Sequence, residues 1–187
     1  MEDPDIVSTR AVSIAASASA VWPWLAQLGS GRGGVYTYDW LENLFGLNMH
    51  SVDVVLPQFQ NVTAGDTQRL GKKGPVMRVV SVRPEDALVL RSDDGNWVWA
   101  FRLIPHASGT RLISRNRIAT PTSRLTRAFY RYAMEPGSLV MERKMLLGIK
   151  ERAERLAEQS PPNGLPSLIG KPSPEPAPGS GRIAAAI

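Results

Sequence analysis

The sequence contains no cysteine. Disulfides, thiolate metal sites and a cysteine nucleophile are excluded, and the composition suits a reducing, cytoplasmic compartment. Histidine is nearly absent as well. His50 and His106 are the only two, so a histidine-rich metal centre is excluded, as is any triad that needs a second imidazole. No run of 18 apolar residues occurs, and the opening stretch MEDPDIVSTR is acidic, so neither a membrane span nor a secretory signal is expected. Lysine is scarce, five against 17 arginines, a bias that reads as the composition of a GC-rich bacterial genome.

What is present fits one globular domain. The chain has 187 residues, 43% hydrophobic and 21% charged, enough to bury a sizeable core. Charge is unevenly placed. The first sixty residues carry six acids against two bases, whereas Gly95 to Met134 holds seven arginines and no acid.

Periodicity divides the chain into elements. VSTRAVSIA at 7–15 alternates as a strand, with Arg10, Val12 and Ile14 on one side. Ser17 or Ser19 then caps a short helix through Leu28, whose stripe is Val21, Trp22, Leu25 and Leu28. GSGRGG at 29–34 formally contains GxGxxG, but a helix precedes it where the dinucleotide motif needs a strand. It reads as a helix end followed by a hinge, with a second helix at 36–47. Together these two pieces form a candidate gate. After an irregular stretch come strands at 67–70, 76–83, 87–92, 96–104 and 111–119, separated by turns such as Asp93-Asp94-Gly95. A short helix follows Pro121, Glu135-Pro136-Gly137 interrupts it, and a longer helix runs from 138 to 159 with the stripe Met141, Met145, Ile149, Ala153 and Leu156. Residues 160–187 hold seven prolines, four glycines and four serines. That composition predicts a disordered tail after a domain at 1–159.

AVWPWLAQLGSGRGGVYTYDWLENLFGL at 20–47 and EPGSLVMERKMLLGIKERAE at 135–154 resemble bacterial members of the SRPBCC superfamily, relatives of the START lipid-transfer domains and the polyketide cyclases. The resemblance spans about residues 7–158. It implies an α+β helix-grip fold, in which a curved antiparallel sheet wraps a long C-terminal helix and leaves a cavity between them. It does not specify a function, since folds of this breadth host carriers, cyclases and regulators.

The residues themselves point to the same layout. Trp97, Trp99, Phe101 and Leu103 share one strand face, and Leu112, Ser114, Asn116 and Ile118 share another. An aromatic sheet face must be covered, and the helix at 138–159 is the long amphipathic candidate, with Met141 and Met145 supplying an adaptable surface. For any one of these side chains a place in a filled core is the ordinary alternative. Ahead of the sheet, Tyr36, Tyr38, Asp39, Trp40, Glu42, Asn43, His50 and Asp53 gather polar groups near the expected cavity mouth. Tyr36, Tyr38 and Asp39 are the candidates for orienting a ligand. His50 is the acid–base candidate by intrinsic pKa, and a metal site from His50 with Asp53 is too thin to use. Glu135, Glu142, Arg143 and Arg91 are further ionisable groups, with Glu142 and Arg143 expected at the helix flank in ion pairs.

The arginines alternate on the outer side of their strand (Arg111, Arg115, Arg117) and recur at helical spacing (Arg124, Arg127, Arg131). A solvated face is the default reading. Contact of the 102–131 stretch with an anionic membrane comes next, and nucleic acid last, because no recognition motif accompanies them. The expectation is a carrier or binder of a small hydrophobic ligand, a lipid, isoprenoid or polyketide-like molecule, with no metal and no cofactor. The alternatives are a cyclase or aromatase-type enzyme using the same cavity, with catalytic residues unassigned, and a regulatory protein-binding module. Oligomeric state is not addressed by the sequence.

Overall fold

In the computed structural model, which describes residues 4–37, 50–71, 74–119 and 135–159, alternation produces the first strand as expected. β1, Ile6–Ile14, turns Arg10, Val12 and Ile14 inward. The Ser17 side chain then caps α1, Ala18–Ala26, by accepting from the Ala20 N–H. Pro23 lies inside this helix rather than in its first turn. α1 buries Val21, Trp22, Trp24 and Leu25. A 3-10 turn at Pro57–Phe59 precedes five strands: β2 (Thr67–Arg69), β3 (Val76–Arg83), β4 (Ala87–Ser92), β5 (Trp97–His106) and β6 (Gly109–Ile118). The last element is α2, Glu135–Gln159.

The six strands form one sheet in the order β1-β6-β5-β4-β3-β2, antiparallel throughout. The first strand therefore pairs with the last, Ile6 opposite Ile118 and Ile14 opposite Thr110. Glycine is obligatory at the corner before β6. Gly109 has φ +132, and a Cβ there would lie 2.5 Å from the Ile14 carbonyl oxygen.

One sheet face is apolar, and α1 and α2 cover it. The core joins Ile14, Leu25, Leu28 and Tyr36 to Met77, Leu88, Leu90, Trp99, Phe101 and Leu112, and to Met145, Ile149 and Ala153 of α2. α2 starts at Glu135, three residues earlier than its stripe predicts. Glu135, Pro136 and Gly137 thus lie within the described span of this helix, ahead of the start expected at 138.

Polar contacts at two places along α2 fix it on the sheet. Near its C-terminal end Glu154 accepts the Ala15 N–H at 2.7 Å, and Lys150 donates to the Ser13 carbonyl at 2.9 Å. Near its other end Glu142 reaches β6. At ~1.5 Å of rise per residue these contacts stand about 18 Å apart, and the buried stripe lies between them. Of the helix expected at 36–47, Tyr36 and Thr37 are described and are not helical, Tyr36 having φ +59; residues 38–47, the helix expected after Pro121 and the tail at 160–187 lie outside the described residues.

Candidate functional site

The inward face of β5 carries an aromatic row. Trp97 and Trp99 stack with ring centroids 5.5 Å apart and planes at 20°, and Phe101 follows at 4.8 Å from Trp99. Strand period puts all three on one face. Trp99 and Phe101 are buried, while Trp97 at the end of the row is half-buried.

Beside these rings, on the same sheet face, lies a polar network. Trp97 Nε1 donates to Asn116 Oδ1 at 2.8 Å, and Trp99 Nε1 donates to Ser114 Oγ at 2.9 Å. Asn116 Nδ2 and Ser114 Oγ both donate to Glu142 Oε1, at 2.9 and 2.6 Å. The other carboxylate oxygen of Glu142 meets the Arg10 guanidinium. Glu142 is only 7% exposed and Arg10 18%. The helix-flank position expected for Glu142 is corrected here: its side chain turns toward the sheet, because Ser114 and Asn116 on β6 and Arg10 on β1 offer three donors inward. Arg143, one residue on, is exposed. The network consumes both indole N–H groups, so the rings present apolar faces to whatever covers them.

Tyr36 is part of the core. It is 1% exposed, and its hydroxyl donates to the Trp24 carbonyl at 3.2 Å. Burial pushes its phenol well above the ordinary tyrosine range, against weaker opposing effects of Gln27 and the Arg152 charge. Its backbone is left-handed, φ +59, which costs a non-glycine residue about 1 kcal/mol. Three contacts hold it there: the hydroxyl bond, an N–H bond to Ser51 Oγ at 3.1 Å, and the Arg152 guanidinium 4.8 Å above its ring. Arg152 also pairs with Asp53 at 2.8 Å and donates to the Val52 carbonyl at 2.9 Å. Asp53 thus serves the α2 contact, while His50 is exposed.

The glycine loop is closed on itself. Gly29 and Gly34 exchange two backbone hydrogen bonds, at 2.9 and 3.0 Å, and the Gly33 N–H donates to the Gln27 carbonyl at 2.7 Å. A Cβ on Gly34 would lie 2.7 Å from the Ser51 Cα. Glycine is required at this position for close approach as well as for backbone conformation. No strand leads into the loop from α1, so its GxGxxG pattern is a tight bridged turn.

Of the remaining candidates, Met145 is buried and Met141 half-buried on α2. Arg91 is exposed on the outer sheet face, in an open concavity of about 360 Å³ shared with Arg78, Val80 and Asp93. Arg111 and Arg115 are exposed on that same outer face, Arg117 half-buried. Tyr38, Asp39, Trp40, Glu42, Asn43, the Glu135 side chain and Arg124, Arg127 and Arg131 lie outside the described residues. Among the described residues no three acidic or histidine side chains are placed to hold a metal ion.

Two residues escape a sequence reading. Arg10 is a charge on the inward side of β1, between Ser8 and Val12. Gln68 on β2 is 1% exposed, with neither its amide oxygen nor its nitrogen hydrogen-bonded. The sequence signal for Gln68 is a polar residue at the inward position of a three-residue strand.

No protein-family profile matches the chain, and no curated protein matches it in sequence. Solved structures do match. The KanY protein (ms6282), determined by NMR, superposes with a TM-score of 0.54 at 16% identity, covering 80% of this chain and 97% of that one. Protein BH1534 of Bacillus halodurans gives 0.48 at 14% identity over 82% and 98% of the two chains. The polyketide-cyclase-like protein Cgl2372 of Corynebacterium glutamicum gives 0.38 at 17% identity over 85% and 93%. Identities this low speak to fold alone. Among the described residues the first and last strands pair, the sheet is antiparallel throughout and the helix Glu135–Gln159 lies across the apolar face, so this chain has a helix-grip fold, shared with the KanY protein.

Proposed function

We propose that the protein binds and carries a small hydrophobic ligand, a lipid, isoprenoid or polyketide-like molecule, against the inward face of its sheet. One observation carries this reading: the stacked Trp97–Trp99–Phe101 row has its indole N–H groups satisfied from the neighbouring strand by Asn116 and Ser114. A row built this way leaves no indole donor of Trp97 or Trp99 unpaired and favours apolar partners over polar ones, although Trp99 and Phe101 are themselves buried. Trp97, half-buried at the end of the row, is the residue a ligand would reach first, with Met141 as the adaptable side chain on α2. Tyr38, Asp39 and Trp40 remain candidates for orienting the ligand.

Carriage is favoured over cyclase chemistry. The carboxylate beside the rings, Glu142, has both oxygens engaged by protein groups, whereas a general acid or base needs a free atom within reach of substrate.

The test is native mass spectrometry of the full chain purified without detergent, paired with tryptophan emission during titration with decanoate and farnesol. A co-purified hydrophobic molecule, or a saturable emission change lost in Trp97→Ala, supports the reading. An apo mass with unchanged emission for both probes overturns it.

A further inference from the structure

The outward face of α2 carries an apolar and basic patch that the ligand-binding reading does not use. Leu139, Val140 and Leu147 are 50%, 54% and 38% exposed. Singly exposed apolar residues are ordinary, but these three fall within nine residues of one helix. They line a shallow concavity of about 160 Å³ together with Arg143 and Lys144. The spacing explains the grouping. Leu139, Arg143 and Leu147 form one i, i+4, i+8 row and Val140 and Lys144 the next, so both rows share one side of the helix. Glu142, the acid of this stretch, is turned to the opposite side and bound by Ser114, Asn116 and Arg10. Among the described residues, two basic and no acidic side chains line the concavity.

We propose that this face of α2 docks the protein on a lipid bilayer containing anionic headgroups. Leucine and valine beside arginine and lysine on one helix face is the composition that lies at a membrane interface, with apolar side chains entering the acyl boundary and cations meeting headgroup phosphates. A second copy of the chain is a poorer occupant, because a two-fold contact sets the same patch against itself and opposes Arg143 and Lys144 with like charges. RNA would neutralise the cations but leave Leu139, Val140 and Leu147 in water. No helix among the described residues is long and apolar enough to cross a membrane, and the proposal is attachment to the surface. It does not depend on the ligand reading: a filled core would leave this face unchanged.

The experiment is co-sedimentation of the full chain with phosphatidylcholine vesicles and with vesicles in which about a third of the lipid is phosphatidylglycerol. Binding is expected to the anionic vesicles, and to fall as salt is raised. Arg143→Glu is expected to weaken it on the order of 25-fold, since each basic charge near such a surface contributes roughly five-fold and the reversal changes two charges. The double variant Leu139→Glu/Leu147→Glu is expected to abolish binding with an unchanged thermal midpoint, because both side chains are largely exposed. Arg115→Glu, on the outer sheet face, is the control and should change binding less than Arg143→Glu. Three results would overturn the proposal: no binding to either vesicle, binding insensitive to the leucine changes, or an Arg115→Glu loss as large as that of Arg143→Glu. Sedimentation velocity closes the remaining alternative: a dimer that the leucine changes dissociate would assign the patch to self-association.

Discussion

Ser114 on the sixth strand donates its hydroxyl to Glu142 on the last helix at 2.6 Å, across 28 residues of chain. The bond joins the aromatic row to the helix that covers it, since the same Ser114 oxygen accepts the Trp99 indole N–H. Removing the carboxylate should be costly. Glu142→Leu removes the carboxylate that pairs with Arg10 and accepts from Ser114 and Asn116. An expected loss of about 3 kcal/mol follows from breaking a largely buried pair with its hydrogen bonds. Urea denaturation measures it, and near-ultraviolet circular dichroism should show altered tryptophan packing. A loss below about 0.5 kcal/mol, the range of a surface substitution, would mean the network contributes little.

Gln68 gives the opposite expectation. Its amide is buried with both polar atoms unpartnered, and each such group costs roughly 1–3 kcal/mol relative to an apolar side chain of similar shape. Gln68→Leu should therefore raise the thermal midpoint. A fall would show that a water molecule or bound polar group occupies the site in solution and that the amide is satisfied there.

Gly148→Ala sets helix propensity against packing. Alanine in mid-helix is worth about 1 kcal/mol over glycine. Here, however, the added Cβ would sit 2.6 Å from the Tyr36 carbonyl oxygen and 2.9 Å from its Cβ. Tyr36 is fixed by its bonds to Trp24 and Ser51 and cannot retreat freely. The expected outcome is net destabilisation, read as a lower urea midpoint. A stabilised variant would show that Tyr36 yields.

The hairpin between β4 and β5 carries a pH signature. Hydrogen bonds from the Ser92 hydroxyl and the Asn96 N–H hold the Asp94 carboxyl below its usual range. Because the folded pKa is depressed, the stabilisation is present above the unfolded value of about 3.9 and is lost as pH falls through the folded one. Asp94→Asn should flatten the acid limb of the stability–pH curve and lower stability above pH ~6 by the amount that limb carried, a small one because the group is solvent-exposed. An unchanged acid limb would assign the acid loss to other carboxylates.

The sequence by itself determined the elements and the faces. Alternation set the β1 and β5 faces, Asp93-Asp94-Gly95 set the hairpin, and the Met145–Ile149–Ala153 stripe chose the buried side of α2, because period 2 and period 3.6 are local properties that no distant contact must supply. Its wording also carried the resemblance to the helix-grip fold. Only the tertiary structure decided the roles of single polar residues. Glu142 has the composition of a flank residue, and what turns it inward is the arrival of Arg10, Ser114 and Asn116 from strands far away in sequence. Tyr36, read as a ligand group, became core because Trp24, Ser51 and Arg152 converge on it. Asp53, read beside His50, went to Arg152. Hydrogen bonds and ion pairs at long sequence separation follow from where the backbone ends up, and a linear pattern does not carry that information.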